Sequence, residues 1–351
     1  MAQTIPRGRI VWHELTTTDP DAAIAFYTKV VGWTTIPFGQ MPGYRMWAIG
    51  TTPVGGVMKS PDAAMSTGAR WLPFIAVADV DNAVRQAEAM GARTSAAAQD
   101  IPGGGGRFAV LADPQGALFG VFATAGEYPG HDGPPAKGEF SWHELATTDG
   151  NAAWHFYHQL FGWEKMHAMD MGPDGMYQMF GRASVQLGGM YAPKASAQSG
   201  PPRWLCYVKV ANADSATALI TKLGGRITSG PMDVPGGDRI TMCVDPQGGA
   251  FAVHSVATAA AKAAAAVKPA PKQQPPAAAK KKVAAPKKAV PKKKTASKKK
   301  AAPKKKAAPK KKAAPRKKAA PRKKLAANKR PAPRKKAASK KRPKAKKARR
   351  R

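Results

Sequence analysis

The sequence contains one domain twice, and this repeat constrains the fold more than any other feature. The segment Trp-His-Glu-Leu-Thr-Thr-Thr-Asp at residues 12–19 returns as Trp-His-Glu-Leu-Ala-Thr-Thr-Asp at residues 142–149, an offset of 130 residues (142 − 12). In both copies a Phe-Tyr pair, a Gly-Trp pair and, much later, Asp-Pro-Gln-Gly follow in the same order. Such self-similarity over about 120 residues indicates a tandem repeat of one fold.

The repeat divides the chain into four parts. The first domain spans residues 8–125 and the second spans 138–257, and each is long enough to bury its own core. Residues 126–137 are rich in Gly and Pro, which is typical of a semi-rigid surface linker. A tail follows at residues 258–351.

The basic charge belongs almost entirely to the tail. The chain has 58 Lys and Arg against 21 Asp and Glu. Residues 259–351 hold 40 of the basic residues and no acidic residue, which leaves 18 basic and 21 acidic residues in 1–258. The two domains are therefore close to neutral, and attraction to a polyanion is expected of the tail alone.

Cysteine usage and hydropathy favour a cytoplasmic protein. Cys206 and Cys243 lie in apolar, strand-like runs, where a free thiol usually behaves as a small buried hydrophobe, so we expect both to be reduced. The N-terminal residues have no apolar signal-peptide core, and no apolar run approaches the length that spans a bilayer.

Local patterns predict two βαββ-type modules in each domain. In the first copy Asp19 caps a helix that carries Phe26 and ends at Gly32. Asp113-Pro114-Gln115-Gly116 has the composition of a type I turn between the last two strands. The strands are predicted at residues 9–17, 44–49, 54–58, 71–77, 108–111 and 117–122.

The ordered motifs give the chain a family resemblance. A Thr-Thr-Asp strand end, a Phe-Tyr helix, Gly-Trp and Asp-Pro-Gln-Gly, found twice, resemble the vicinal oxygen chelate superfamily of glyoxalase I, bleomycin-resistance proteins and extradiol dioxygenases. The likeness covers residues 8–123 and 138–257. It implies an α+β fold in which paired βαβββ modules curl an eight-stranded sheet into an incomplete barrel around a ligand cleft.

The resemblance also implies a divalent metal, held by His, Glu or Gln on cleft-lining strands and acting as a Lewis acid. Here those positions carry residues that cannot bind an ion: Trp12, Trp142, Leu72, Leu205, Gly120 and Ala252. We therefore expect no metal cofactor. The alternative stays open, because a one-residue slip in register would turn His13 and His143 toward the cleft, and His254 has the parity of the missing last-strand ligand. One His alone cannot hold a catalytic ion, which normally has about three protein ligands.

Strand parity predicts the remaining cleft residues. If Trp12 and Trp142 face inward, so do Glu14, Thr16 and Glu144. A desolvated glutamate beside a tryptophan can have a raised pKa and act as a general base. The alternative is that both glutamates bond to the backbone or to an arginine such as Arg45. Five further side chains either line the clefts or pack in the core: Tyr44, Trp47, Tyr177, Met179 and Phe180.

The tail has a six-residue repeat of the type Ala-Ala-Pro-Lys-Lys-Lys. Proline at this spacing opposes a stable helix and nothing here can bury a core, so we expect disorder. The composition resembles the C-terminal tails of linker histones and of histone-like bacterial proteins, which implies binding to DNA or RNA and a nucleoid-associated location. Forty cations bind phosphates by releasing counterions and do not read the bases. Full pairing of their charges would occupy about 70 Å of duplex DNA. The basic clusters begin at Lys292, Lys298, Lys304, Lys310, Arg316, Arg322, Arg334 and Lys340.

Three functions remain open. In the first, a metal-independent small-molecule-binding protein is tethered to nucleic acid by its tail. In the second, the chain is a metal-dependent lyase or dioxygenase that the tail merely localises. In the third, it is an architectural protein that compacts DNA. A membrane partner is disfavoured, because no amphipathic face accompanies the charge.

Overall fold

The computed structural model describes residues 5–60, 68–172, 175–193 and 200–257. These residues form two eight-stranded sheets, one from each repeat. The predicted disorder of the tail and its eight basic positions lie outside the described residues.

The first domain consists of two consecutive βαβββ modules. Its elements are β1 (Ile10–Thr17), α1 (Pro20–Val30), β2 (Thr34–Pro37), β3 (Arg45–Ile49), β4 (Thr52–Lys59), β5 (Arg70–Ala76), α2 (Val80–Ala89), β6 (Arg93–Asp100), β7 (Arg107–Ala112) and β8 (Leu118–Ala123). Across the sheet the strand order is β2-β3-β4-β1-β5-β8-β7-β6. The two modules therefore meet at the centre, where β1 is antiparallel to β5 and parallel to β4.

The second domain repeats this architecture. Its elements are β9 (Phe140–Ala146), α3 (Gly150–Phe161), β10 (Glu164–Asp170), β11 (Met176–Arg182), β12 (Val185–Tyr191), β13 (Arg203–Lys209), α4 (Ala213–Lys222), β14 (Arg226–Asp233), β15 (Arg239–Val244) and β16 (Ala250–Ser255). The strand order is β10-β11-β12-β9-β13-β16-β15-β14, so β9 and β13 occupy the central places of β1 and β5.

Each helix starts where the sequence places a capping residue. The Asp19 carboxylate accepts the backbone N–H of Ala22 at the start of α1, and Pro20 takes the first helical position. Asp79, Asp149 and Asn212 cap the other three helices in the same way. A cap satisfies a backbone donor that has no partner inside the helix, which fixes the first turn next to the preceding strand.

The predicted fold class is confirmed: the chain has two tandem α+β domains built on open, sheet-dominated modules. The local patterns missed two strands in the first domain, β2 and β6, so each module has one strand more than βαββ. Both are edge strands with mostly exposed or half-exposed side chains, and they lack the buried alternation that marks β1.

The two domains share their hydrophobic cores. One core joins α2, β7 and β8 of the first domain to α3 and Trp163 of the second. The other joins α1 and Trp33 of the first domain to α4, β13 and β16 of the second. Two helices reach the sheet of the other repeat, since Phe26 of α1 contacts Phe251 and Phe156 of α3 contacts Phe119. Neither domain therefore buries its apolar face alone.

Motifs of one repeat bond to motifs of the other across this shared core. The Tyr27 hydroxyl donates to Asp245 Oδ2 at 2.9 Å, and the Tyr157 hydroxyl donates to Asp113 Oδ2 at 2.9 Å. The repeated Phe-Tyr and Asp-Pro-Gln-Gly motifs are therefore two halves of one interdomain contact, made twice.

The Gly-Trp pair, which recurs at the same place in both repeats, also makes a contact between the domains. Trp33 Nε1 donates to the carbonyl of Gly138 at 2.8 Å, and Trp163 Nε1 donates to the carbonyl of Gly8 at 2.7 Å. In each case the indole is fully buried and reaches the start of the other domain.

The linker packs against the domains that it connects. Tyr128 is buried beside Val11 and donates its hydroxyl to the carbonyl of Val77 at 2.9 Å. Asp132 forms ion pairs with Arg9 of the first domain and Arg182 of the second. No helix in the described part of the chain is both long and apolar enough to cross a membrane.

Candidate functional site

Each sheet has a core face, which contributes to the shared cores, and an opposite face that we call the cleft face. On β1, His13, Leu15 and Thr17 are buried on the core face. Trp12, Glu14 and Thr16 alternate with them and are only partly buried. The predicted inward set of β1 therefore lies together on one face, as strand parity requires.

The cleft face of the first domain carries a hydrogen-bonded Trp-Tyr-Glu set. Trp12 Nε1 donates to the Tyr44 hydroxyl at 3.1 Å, and that hydroxyl donates to Glu14 Oε2 at 2.7 Å. The tyrosine therefore uses its oxygen both as acceptor and as donor, which fixes the carboxyl group against the indole.

The second domain repeats the set and adds a second tyrosine. Trp142 Nε1 donates to the Tyr177 hydroxyl at 2.8 Å, and Tyr177 donates to Glu144 Oε2 at 3.2 Å. Tyr207 on β13 also donates to Glu144 Oε2 at 3.2 Å. The two cleft faces are similar but not identical, since the first domain has Phe74 at the position of Tyr207 (207 − 74 = 204 − 71).

A glycine makes room for each tyrosine. A Cβ atom on Gly56 would lie 1.9 Å from the Tyr44 hydroxyl oxygen, and one on Gly189 would lie 2.0 Å from Cε1 of Tyr177. Both glycines lie on the strand parallel to the Glu-bearing strand. This Gly-Gly signal, present in β4 and β12, is one that the sequence analysis missed.

Burial dominates the electrostatics of the two glutamates. It raises the pKa of Glu14 to about 7, while the hydrogen bonds from Tyr44 and Trp12 partly oppose the shift. Burial also raises the pKa of Glu144, against the hydrogen bonds from Tyr207 and Tyr177. A carboxyl group of this kind can donate, accept or exchange a proton near neutral pH.

The alternative in which Arg45 bonds to one of these glutamates is wrong. Its guanidinium pairs with the Asp21 carboxylate instead, near the exposed start of α1. The partners of Glu14 and Glu144 are tyrosines.

The prediction that Trp47 lines the cleft is also wrong. Trp47 is fully buried on the core face, where its ring contacts those of Tyr27, Trp33 and Trp71. Three positions separate it from Tyr44, so in a strand the two side chains lie on opposite faces. Met179 lies two residues from Tyr177 on β11 and shares its face. Phe180 is fully buried in the core against Trp163, so its placement in the cleft is wrong as well.

The positions that the resemblance assigns to the metal ligands carry side chains that do not fit an ion. Trp12 and Trp142 use their indole N–H groups within the Trp-Tyr-Glu sets, and an indole has no lone pair to offer a metal. Leu72 and Leu205 lie opposite Glu14 and Glu144 in the register. On the last strand, a Cβ atom on Gly120 would lie 2.1 Å from the Phe74 ring, and Ala252 has no ligand atom.

The three histidines named as alternatives do not supply that metal site. His13 and His143 lie on the core face, 5% exposed, with their Nε2 atoms 2.6 Å apart. Burial lowers the pKa of His143 to about 4 and that of His13 well below its ordinary value. Both ring nitrogens of His254 are engaged, Nδ1 with Ser141 Oγ at 2.9 Å and Nε2 with Asp238 Oδ2 at 3.0 Å.

Another group of side chains could nevertheless hold an ion. His13, His143 and Cys206 place one ligand atom each within 4.8 Å of one another, and all three are buried. Cys206 and Cys243 are both free thiols. This group lies on the core face, away from the cleft faces.

Family models match both repeats. Residues 11–122 match a glyoxalase-like domain, and residues 140–253 match the glyoxalase/bleomycin resistance protein/dioxygenase superfamily. "Putative glyoxylase CFP32" of Mycobacterium tuberculosis is 30% identical over 252 residues, which are 70% of this chain and 94% of that protein. The anthracycline biosynthesis protein DauV of a Streptomyces species is 26% identical over 260 residues, which are 70% and 92% of the two chains.

Solved structures share the fold at lower identity. A Mn(II)-bound glyoxalase from Novosphingobium aromaticivorans superimposes with a TM-score of 0.51 at 16% identity, over 72% of this chain and 83% of that one. At this identity the likeness concerns the arrangement of the elements, not the chemistry of the site.

Proposed function

Because this chain belongs to the glyoxalase/bleomycin resistance protein/dioxygenase superfamily, we propose that its cleft faces bind a small planar molecule without a metal ion, and that its tail holds it on nucleic acid. The observation that carries the proposal is the Trp-Tyr-Glu set, which occurs in both repeats at the place of the family's first metal ligand.

The set combines a flat apolar surface with a fixed polar group. Trp12 and Tyr44 offer aromatic surface for stacking, and Met46 extends it on the same face. The Glu14 carboxyl, held by the Tyr44 hydroxyl, can bond to a hydroxyl or carbonyl group of a ligand. A ligand with fused rings and polar oxygens at the rim fits this chemistry, and the name of the relative DauV points to the same class.

Binding of a dihydroxyanthraquinone to the full-length chain tests the cleft. We expect quenching of tryptophan fluorescence that saturates and that excess EDTA leaves unchanged. The double variant Glu14→Gln/Glu144→Gln should bind roughly 10- to 100-fold more weakly, since a hydrogen bond to a charged group contributes about 1.5–3 kcal/mol. Glu88→Gln, which changes an exposed glutamate on α2, is the matched control and should bind normally.

Two outcomes would favour a competing function. Loss of binding in EDTA, or turnover that EDTA abolishes, would support a metal-dependent lyase or dioxygenase. Equal affinity of the double variant and Glu88→Gln would show that Glu14 and Glu144 do not contribute to ligand binding.

The tail part of the proposal depends on the segregation of charge. Forty basic residues without an acidic neighbour favour phosphate contacts that do not distinguish sequences. Deleting residues 259–351 should abolish DNA binding and leave anthraquinone binding intact. The full chain should lose affinity steeply as salt rises, with little preference between sequences. A shortened chain that still shifts DNA would reject the tether.

The architectural alternative is distinguished by condensation of DNA. If compaction were the whole function, the isolated tail would condense DNA as well as the full chain does. A nucleoid-associated location is expected if the tether operates, and imaging of a fluorescent fusion with and without residues 259–351 tests it.

A further inference from the structure

Two histidines meet in the middle of the folded part. His13 and His143 occupy the same position in the two repeats, and their Nε2 atoms are 2.6 Å apart. Both rings are buried, and His13 stacks on Phe140 with ring centroids 3.6 Å apart. The contact therefore joins the two domains at the centre of the shared cores.

In the first repeat Val54 matches Leu187, and its backbone lies beside the His13 ring. The outer nitrogen of the His143 ring donates to a backbone acceptor, since Nδ1 lies 3.0 Å from the carbonyl oxygen of Leu187. Such a bond fixes a ring with its proton on the outer nitrogen and its lone pair on Nε2, as is usual for metal-ligating histidines.

The 2.6 Å contact between the two Nε2 atoms needs either one proton or one metal ion between the rings. Because Leu187 holds the His143 proton on Nδ1, the lone pair of His143 Nε2 faces His13. A metal ion in place of the shared proton would accept the lone pairs of both Nε2 atoms.

A third ligand lies beside the two rings. Cys206 on β13 is opposite His143 in the strand register and is fully buried. Its Sγ and one ring nitrogen of each histidine lie within 4.8 Å of one another. The first repeat has Pro73 at the matching place opposite His13, so the site has three ligands and not four.

We propose that His13, His143 and Cys206 bind one copper(I) ion between the two domains. Two neutral imidazoles and one thiolate give a copper(I) complex with no net charge, which suits an apolar core. Zinc(II) would leave a net positive charge there, as would an additional proton shared by the rings. A soft thiolate together with imidazole suits copper(I) and zinc(II) alike, so the charge of the site distinguishes the two ions.

The geometry needs only a small adjustment. With metal–nitrogen distances of about 2.0–2.1 Å, two ligands of a trigonal ion lie roughly 3.5 Å apart. The two Nε2 atoms would therefore separate by about 1 Å from their 2.6 Å distance.

Anaerobic titration of the full-length chain with copper(I), in competition with bicinchoninate, tests the proposal. We expect one equivalent per chain, and X-ray absorption at the copper edge should show two nitrogen ligands and one sulfur ligand. Cys206→Ser and His13→Gln should each weaken binding at least tenfold. Cys243→Ser is the matched control, because Cys243 is equally buried but outside the group, and it should bind normally.

Several results would contradict the copper site. No binding to the wild-type chain, or equal loss in Cys243→Ser and Cys206→Ser, would overturn the site. Tighter binding of zinc(II) than of copper(I) would overturn the charge argument. If a variant does not fold, as judged by circular dichroism, the absorption spectrum of the wild-type complex decides, and a copper environment without sulfur rejects the proposal. Anthraquinone binding on the cleft faces is independent of this result.

Discussion

At the scale of single residues, a tyrosine hydroxyl determines where each cleft carboxyl group lies. Tyr44 accepts from an indole and donates to Glu14, and its hydroxyl end lies close against the neighbouring strand β4. That strand provides the space by having a glycine, Gly56, directly under the ring. The polar centre of the cleft thus depends on the absence of one side chain.

The first prediction concerns this glycine. Gly56→Ala should destabilise the chain by about 1–3 kcal/mol, because the new methyl group overlaps the Tyr44 hydroxyl and forces the ring to move. Gly39→Ala, at an exposed position with no atom within 4 Å of the new Cβ, should change stability by less than about 0.5 kcal/mol. Urea unfolding of the two variants measures the difference, and equal midpoints would contradict the packing described.

The face on which a single side chain lies could be predicted from its odd or even position along a strand. The alternation in β1 was sufficient to place Trp12 and Glu14 on one face. Trp47 was misplaced, because its aromatic character was given more weight than its odd spacing from Tyr44. The meeting of His13 with His143 could not be predicted, since nothing local to either strand indicates which surface the other domain covers.

At the scale of elements, the Asp-Pro-Gln-Gly turn has two functions. Asp113 Oδ1 accepts the backbone N–H groups of Gln115, Gly116 and Ala117, which closes the turn. Its other oxygen accepts the Tyr157 hydroxyl from α3. One carboxylate therefore shapes the hairpin between β7 and β8 and also positions a helix of the other domain.

The second prediction follows from this contact. Tyr157→Phe should lower the free energy of unfolding by about 1–3 kcal/mol, because it leaves Asp113 Oδ2 and the Trp204 indole N–H without their buried partner. Tyr27→Phe should have a similar effect at the equivalent contact with Asp245. The two contacts are separate, so the losses should add within about 0.5 kcal/mol. Strong non-additivity in chemical denaturation of the double variant would contradict two independent contacts.

Some of these elements could be predicted from the sequence and others could not. The capped helices and the turn were predictable, because Asp, Asn, Pro and Gly act on their immediate neighbours. β2 and β6 were not, because edge strands with exposed side chains leave no buried alternation to read. That the turn aspartate bonds across to another domain is a tertiary fact that no local pattern contains.

At the scale of the whole molecule, duplication has produced one folded unit from two similar halves. Each hydrophobic core contains helices and strands of both halves, and the tyrosine–aspartate contacts occur in matched pairs. The cleft faces point away from these shared cores. Core and cleft are therefore on opposite sides of each sheet, which lets the cleft residues differ between the repeats.

The third prediction is loss of stability in alkaline solution. Burial, together with a neighbouring aspartate, raises the pKa of Tyr27 and Tyr157 well above the ordinary value near 10. The unfolded chain releases these protons near pH 10 while the folded chain keeps them. Stability is thus fully present below pH 10 and falls above it, by about 1.4 kcal/mol per pH unit for each such tyrosine.

Urea unfolding at pH 8, 10 and 11 measures this loss, with tyrosinate absorbance followed in parallel. Comparison with Tyr27→Phe and Tyr157→Phe identifies the absorbance of these two tyrosines, which should rise only as the chain unfolds. Ionisation of these tyrosines while the near-ultraviolet circular dichroism stays native would contradict their burial.

The most direct test of the central claim is a crystal structure of the chain with a bound dihydroxyanthraquinone. We expect planar density on a cleft face, stacked on Trp12 or Trp142 and within hydrogen-bonding distance of Glu14 or Glu144, with no metal ion between ligand and protein. Density at saturating ligand that lies away from both cleft faces, or that is coordinated by an ion beside the Trp-Tyr-Glu set, would contradict it.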